Sequence, residues 1–495
     1  EPPIIPVYDI MGNYGGTWAG PELGPYYNPV AQMRNTANNK NNTWQTFGNV
    51  YAEVDFLKHF TARTSFGGTI ENGYFLTFLP NRYHDLEQHS NPNSLSESAN
   101  YNSNWIWTHP ITYNQVFGKH NVKALAGSES FHDYSRSLGG SSSNFFSSDP
   151  NYLVLSNGTS DITNFSKAGI DNLYSVFGRV DYSFEDKYLL AATIRRDGSS
   201  RFSDEKKYGI FPSVSLGWRM SGETFMKNIR WLDDLKLRGS WGKLGSQNNV
   251  PTTNAFNLYN SDFGYSYYDI TGSGSTRQGF YQSAIGNQST GWEEDIISNI
   301  GLDATILNNS INISADWYKK STNGLLFPQP LPATTGGAAS PIINIGDIQN
   351  TGLDLAITYH GGRNSDFKYN IGANITTYKN LVVKIPDPGY FDVGLVRNEV
   401  GHQVSSFFGY EVVGFFRDAE DVEKSPTQQD AAPGRFKYKD TDGDGQITPD
   451  DRTFFGNPNP DFTYGINFSA SYRIFDFSMV LYGSKGNQVY NTPWE

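Results

Sequence analysis

The sequence predicts an all-β protein, a transmembrane antiparallel up-and-down β-barrel, and three observations predict it. Apolar and polar residues alternate with period two in one segment after another; short and long connections alternate along the whole chain; and the composition is aromatic and poor in charge. Of 495 residues, 31 are Tyr, 33 Phe and 10 Trp, while charged residues make up only 18%. Aromatic residues with Gly, Asn and Ser punctuation favour strands and turns over helices.

The alternation is plain in Ile311, Ile313, Ala315 and Trp317 set against Asn312, Ser314, Asp316 and Tyr318. It recurs over Phe367–Thr376, over Tyr464–Arg473, and where Val176, Val180, Tyr182 and Phe184 oppose Arg179, Asp181 and Ser183. Each such segment has one greasy and one polar face. A soluble sandwich would show the same pattern, so the connections decide. Short links fall at Leu57–His59, Gly118–Asn121, Glu185–Lys187, Leu307–Asn309, His360–Asp366 and Arg473–Asp476, with a partly helical link at Ser221–Asp234. Between them lie long links at Thr69–Asn104, Gly127–Asn172, Asp197–Tyr208, Lys243–Ile296, Lys320–Asn350 and Lys379–Asp461. Sorting of this kind marks an outer-membrane barrel, with tight turns on one rim and long loops on the other. The seven short links imply about fourteen strands of about ten residues each. Tyr and Trp residues are expected at strand ends as an interfacial girdle: Trp105, Trp107, Tyr182, Tyr188, Trp218, Trp241, Trp317, Tyr318, Tyr472 and Tyr482.

Composition excludes several classes. No run of about 18 apolar residues exists to form a transmembrane helix. A mean hydropathy of −0.52 is compatible with a barrel, because lumen-facing residues and loops are polar. A net charge of −12 leaves no basic stripe for nucleic acid. The absence of Cys rules out disulfides and thiolate metal sites. The eight His residues show no metal-ligand spacing, and there is neither a nucleophile elbow nor a phosphate loop. No enzymatic activity and no organic cofactor are expected. Glu1–Pro6 carries no signal-peptide features, and Val489–Glu495 reads as the start of a loop, so both ends are expected to be incomplete.

From Gly178 to Lys243 the sequence becomes distinctive. It reads RRDGSSRF at Arg195–Phe202, FPSVSLGWR at Phe211–Arg219 and LKLRGSWGKLG at Leu235–Gly245. Downstream come Trp292-Glu293, Asn299, Gly301-Leu302-Asp303, Asp316-Trp317-Tyr318, Leu325-Leu326, Asn344-Ile345-Gly346 and Asn350-Thr351-Gly352-Leu353, then Phe455–Gly465. Val7-Tyr8-Asp9, Gly12 and Asn28-Pro29-Val30 open the chain. In this order, and over essentially the whole length, these motifs resemble the SusC/RagA family of TonB-dependent outer-membrane transporters. The resemblance implies a barrel of about twenty-two strands, of which residues 1–495 would supply about fourteen, without the plug domain and the final strands. It further implies a SusD-like surface lipoprotein partner, the TonB complex acting through a segment outside this chain, surrounding outer-membrane lipid, and import of an oligosaccharide or peptide. A siderophore-type metal-chelate receptor and a surface glycan-binding or adhesion protein are the alternatives.

The sharpest chemical motif lies in the 379–461 region. Asp440, Asp442, Asp444 and Asp451 stand at positions 1, 3, 5 and 12 of a calcium-type loop, Gly445 at position 6, and Gln446 at position 7 to offer its carbonyl. Carboxylates so close together repel unless a hard cation neutralises them, and a structural calcium clip is the expectation. An acidic, solvated turn without metal is the other reading. Arg195–Phe202 reads as a structural outward turn, with its arginines available to Asp204 and Glu205, rather than as an anion or sugar contact. Phe211-Pro212-Ser213 reads as a kink at a strand entry. Loop aromatics and amides (Tyr259, Phe263, Tyr265, Tyr267 and Tyr268 with Asn257 and Asn260; Phe407, Phe408 and Tyr410 around Gly409) suit stacking on sugar rings or peptide side chains. They equally suit loops packing on one another, and no substrate-binding residue is assigned.

Overall fold

The computed structural model describes residues 6–15, 28–83, 89–90, 92–329, 331, 334, 336–362 and 365–490. Most of the two end segments and the Phe263 side chain fall outside these residues.

Fourteen strands form one antiparallel sheet, each paired with its neighbour in sequence. They are β1 Lys40–Phe56, β2 Phe60–Leu79, β3 Ser94–Phe117, β4 His120–Ser143, β5 Ser160–Phe184, β6 Tyr188–Ser199 and β7 Tyr208–Arg219. There follow β8 Leu232–Ser246, β9 Glu293–Ile306, β10 Ile311–Pro328, β11 Ile342–Gly361, β12 Phe367–Lys384, β13 Phe462–Tyr472 and β14 Phe475–Lys485. All seven expected short links sit where the sequence placed them, and the link between β7 and β8 contains the 3-10 turns Met220–Gly222 and Thr224–Met226. The tightest turns put non-glycine residues at positive φ, among them Leu57, Lys58, Glu185, Asp186, Leu307, Asn308 and Asn309.

Strand length departs from expectation. The strands run from 11 residues in β13 to 25 in β5, and β3 and β4 reach 24 each. Segments read as loop, such as Ser94–Asn104, continue the ladder. In Ser94–Asn104 one face is wholly Ser and Asn and the other mixes Leu95, Ala99 and Tyr101 with Glu97 and Ser103, so no continuous greasy stripe marks the strand. The placement of the aromatics at strand ends is corrected, which leaves the girdle itself untouched, since a strand running beyond the lipid crosses the interface in its interior. Tyr182, Tyr188, Trp218 and Tyr472 do lie at short-turn ends, but Trp105, Trp107, Trp241, Trp317 and Tyr318 lie well inside their strands.

The chain divides into two units. The first holds residues 1–56, 61–110 and 127–175. Its small core packs Leu76, Phe78, Leu95, Phe145 and Leu153 together, with Tyr74 and Leu155 against them. The helix Pro29–Asn35 begins at Asn28, whose Oδ1 accepts the Val30 and Ala31 amides while its Nδ2 donates to the Val7 and Gly15 carbonyls. That cap gives the Asn-Pro-Val motif a local purpose.

The second unit, residues 57–60, 111–126 and 176–495, shows the two-faced sheet directly. One row of cross-strand neighbours from β8 to β14 reads Leu237, Leu302, Ala315, Leu355, Ile375, Tyr464 and Gly483. The row one residue away reads Arg238, Gly301, Asp316, Asp354, Thr376, Thr463 and Ser484. Since successive residues point to opposite faces, a hydrocarbon-compatible surface and a water-compatible surface lie back to back.

Candidate functional site

On the polar face one cation organises three strands. Arg238 of β8 donates from Nη1 and Nη2 to Asp316 of β10, at 2.5 and 2.6 Å. It also donates from Nε and Nη2 to Asp303 of β9, at 2.9 and 3.1 Å. Ser314 donates to the same Asp303. To reach β10 the guanidinium must cross β9 at Gly301, where an added Cβ would lie 2.6 Å from both Arg238 and Asp316. Four of the motif residues, from different parts of the sequence, thus form one group, with Gly301 required for its closeness. Two bidentate contacts fix register as well as energy. A cavity of about 520 Å³ adjoins this group, lined by Lys123, Asp181, Lys236, Arg238 and Asn299 among others. Sequence reading did not assemble this cluster, although a usable signal existed. The turn after Ile306 places Gly301 opposite Asp316 by simple hairpin counting.

The RRDGSSRF motif anchors loops. Arg195 pairs with Asp197, Arg196 lies 3.7 Å from the Tyr208 ring centre, and Arg201 donates to the Gln247 and Val250 carbonyls. Asp204 also pairs with Lys207. Phe202 is buried with Val250 and Leu326, and Trp292 and Ile342 pack against them. The neighbouring amides complete the staple. Asn254, buried, donates to Thr290 and to the Ile342 carbonyl and accepts the Ile342 amide at 2.8 Å. Asn344 accepts the Gly291 amide and donates to the Gly324 carbonyl. The structural-turn reading of this motif fits the geometry.

Residues 385–461, between β12 and β13, fold into a module. It starts later than residue 379 because β12 continues to Lys384. Tyr390–Val393, Val396–Glu399, Ser406–Gly409 and Thr453–Gly456 form a four-stranded sheet, and Val412–Phe415 pairs with Phe436–Tyr438. Several of its aromatics are engaged with one another. Phe407 stacks on Phe455, Phe408 meets Phe454 and lies 3.7 Å below the Arg397 guanidinium, and Tyr410 meets Tyr438. By contrast Tyr259, Tyr265 and Tyr268 of the 247–292 loop stay largely exposed.

The acidic loop follows directly from Phe436–Tyr438. Oxygens of Asp440, Asp442 and Asp444 come within 4.8 Å of one another. Asp440 accepts the Gly443 and Gly445 amides, Asp442 the Asp444 amide, and Asp444 the Gln446 amide. Gly443 and Gly445 have φ near +80°, which favours glycine. The amide of Asp444 pulls the Asp442 carboxyl down, but desolvation and the charges of Asp444, Asp451 and Asp440 outweigh it and raise its pKa. Asp451 adjoins the converging three, in side-chain contact with Asp440, but is engaged differently. It is buried, and its oxygens accept the Thr441 and Thr448 amides, which hold its pKa down as part of a capping box at Pro449–Asp451. Gln446 sits in a parallel bridge with Thr427.

With the two-faced sheet and sorted loops in view, comparison with known proteins fixes the class. Residues 6–493 match the family described as TonB dependent receptor-like, β-barrel, and the chain belongs to that family. It is 30% identical over 512 aligned positions to the TonB-dependent receptor P3 of Formosa agariphila, covering 99% of this chain and 49% of that protein. It is 28% identical over 487 positions to the TonB-dependent receptor SusC of Bacteroides thetaiotaomicron, covering 94% of this chain and 45% of the other. The chain therefore spans about half the length of these curated relatives. The RagAB peptide transporter shares the fold at a TM-score of 0.79 and 21% identity, over 96% of this chain and 51% of that one. The chain is barrel sequence of an outer-membrane TonB-dependent receptor, similar to SusC in sequence and to RagAB in fold.

The loop staple makes a local prediction. Asn254→Ala leaves the Ile342 amide without its partner, at a cost of about 1–3 kcal/mol. Hydrogen exchange should quicken across residues 247–292 while the paired strands stay protected. Unchanged exchange there would show that the loop is held elsewhere.

Proposed function

We propose that the whole protein imports a large polar nutrient, an oligosaccharide or a peptide, across the outer membrane in a TonB-dependent manner, together with a SusD-like surface lipoprotein. The observation that carries this reading is the polar face running across β8 to β14, charged at Arg238, Asp303, Asp316 and Asp354, back to back with an oily one. A polar solute needs a water-compatible wall inside a lipid-compatible one. The long connections all leave from the rim opposite the tight turns, and the staple around Asn254 and Phe202 gives them a defined shape. Exposed Tyr259, Tyr265 and Tyr268 offer flat faces of the kind that sugar rings and peptide side chains stack on. The name of one neighbour in fold, the RagAB peptide transporter, agrees with the peptide class. Deleting the gene in its bacterium should abolish uptake of one labelled oligosaccharide or peptide pool, and a protonophore should stop that uptake in the complemented strain. Uptake that survives both treatments would contradict the proposal.

We also propose that the 440–451 loop holds a structural calcium ion. Asp440, Asp442 and Asp444 fit a hard cation, since three carboxylates already converge there, and Gln446 would add its carbonyl. Asp451 would have to share oxygens that now cap backbone amides, which shortens its reach as a twelfth-position ligand. The ion would tie Phe436–Tyr438 to the Thr427 bridge and so order the module. Calorimetry on the intact protein should detect calcium binding that Asp440→Ala removes. Absence of any heat in the unaltered protein would leave the loop as a solvated acidic turn.

A further inference from the structure

Gly178 opens the most distinctive stretch of the sequence, yet nothing in the polar-face cluster or the loop staple uses it. It lies in β5, on the oily side of the second unit. That side is fixed by register: Tyr188 of β6 pairs with Trp218, which pairs with Leu237 of the apolar row, so Leu190, Ala192 and Ile194 share the same face. Beside Gly178 the face is not flat. A cavity of about 610 Å³ is sunk into it. Its floor consists of Gly178, Ala124, Ala126 and Ala192 with intervening backbone, and Phe60, Ile111, Tyr113, Val180 and Ile194 stand around it. The Phe60 and Tyr113 rings meet at 4.9 Å and close the end nearest the short turns.

The glycine is not demanded by close packing. A Cβ built there would meet Leu125 O at 3.7 Å and Ile194 Cγ2 at 4.0 Å, ordinary contacts both. What a side chain at this position would do is fill the hollow. The floor residues stand four to six positions from the short-turn ends of β4, β5 and β6. At about 3.3 Å per residue this puts them within about 20 Å of that rim along tilted strands, in a single leaflet of the hydrocarbon.

We propose that this groove seats one acyl chain of a phospholipid from the leaflet at the short-turn rim. The groove is continuous with the lipid-facing surface of an outer-membrane barrel, so hydrocarbon is what adjoins it. Its lining is almost wholly apolar, which disfavours a water column. A void against hydrocarbon would forfeit dispersion contacts along its walls, whereas a chain lying in it regains them on three sides. A chain so held is slower to exchange than lipid against the flat remainder of the face.

The complete protein, reconstituted in phosphatidylethanolamine nanodiscs with a trace of chain-labelled phospholipid, reports this through the motionally restricted fraction of the electron paramagnetic resonance spectrum. Gly178→Leu and Ala192→Leu should each lower that fraction by an amount equivalent to about one lipid per protein, with strand content intact by circular dichroism. Ala315→Leu, on the same face but outside the groove, should leave it unchanged. Equal spectra for all four proteins, or an equal drop in the Ala315 variant, would overturn the assignment.

Discussion

The constraint on which everything else rests is the backbone ladder. In hydrocarbon an unpaired amide or carbonyl costs several kcal/mol, so a strand that enters the membrane must be paired along its whole length on both edges. The twelve strands from β2 to β13 meet this demand in the simplest order available, each lying between its two neighbours in sequence. Once pairing is fixed the faces are fixed too. A slip of one residue would turn Leu237, Leu302 and Ala315 to the polar side and Arg238 and Asp316 to the oil. The Arg238–Asp303–Asp316 group therefore guards the register at the point where a slip would be most costly.

This constraint also explains what could be read in advance. Turns were legible because within the lipid band each strand must alternate, so the alternation stops where the band stops. Strand ends on the other rim were not. Along Ser94–Asn104 one side is wholly polar and the other mixes Leu95, Ala99 and Tyr101 with Glu97 and Ser103, so the ladder there leaves only a broken periodic trace. Trp105 and Trp317 fall inside their strands rather than at the ends for the same reason. In the acidic loop the three converging carboxylates were visible as spacing. The diversion of Asp451 into a cap was not, since it depends on how Thr441 and Thr448 turn their amides.

The family motifs acquire separate physical reasons. Asn28 caps a helix, Phe202 and Arg201 pin distant loops, and Gly301 lets a guanidinium cross a strand. Their partners lie far apart in the chain: Arg201 reaches Val250, Asn254 reaches Ile342, and Arg238 reaches Asp316. Spacing within a motif carries no information about such partners, which is why the motifs identified a family more readily than they revealed their own work. Function divides along the same line. The strands supply a wall with two solvents, and in the proposed function the stapled loops would supply the shape that meets a solute.

The most direct test of the two-solvent wall uses the absence of cysteine from this sequence. Single cysteines placed at each of residues 311–318 of β10, in the complete protein within outer membranes, should alternate strictly. Positions 312, 314 and 316 should react with a charged, water-soluble maleimide. Positions 313, 315 and 317 should resist it and, once spin-labelled, relax with oxygen dissolved in the lipid. Uniform reactivity along the strand, or the opposite phase, would contradict the account.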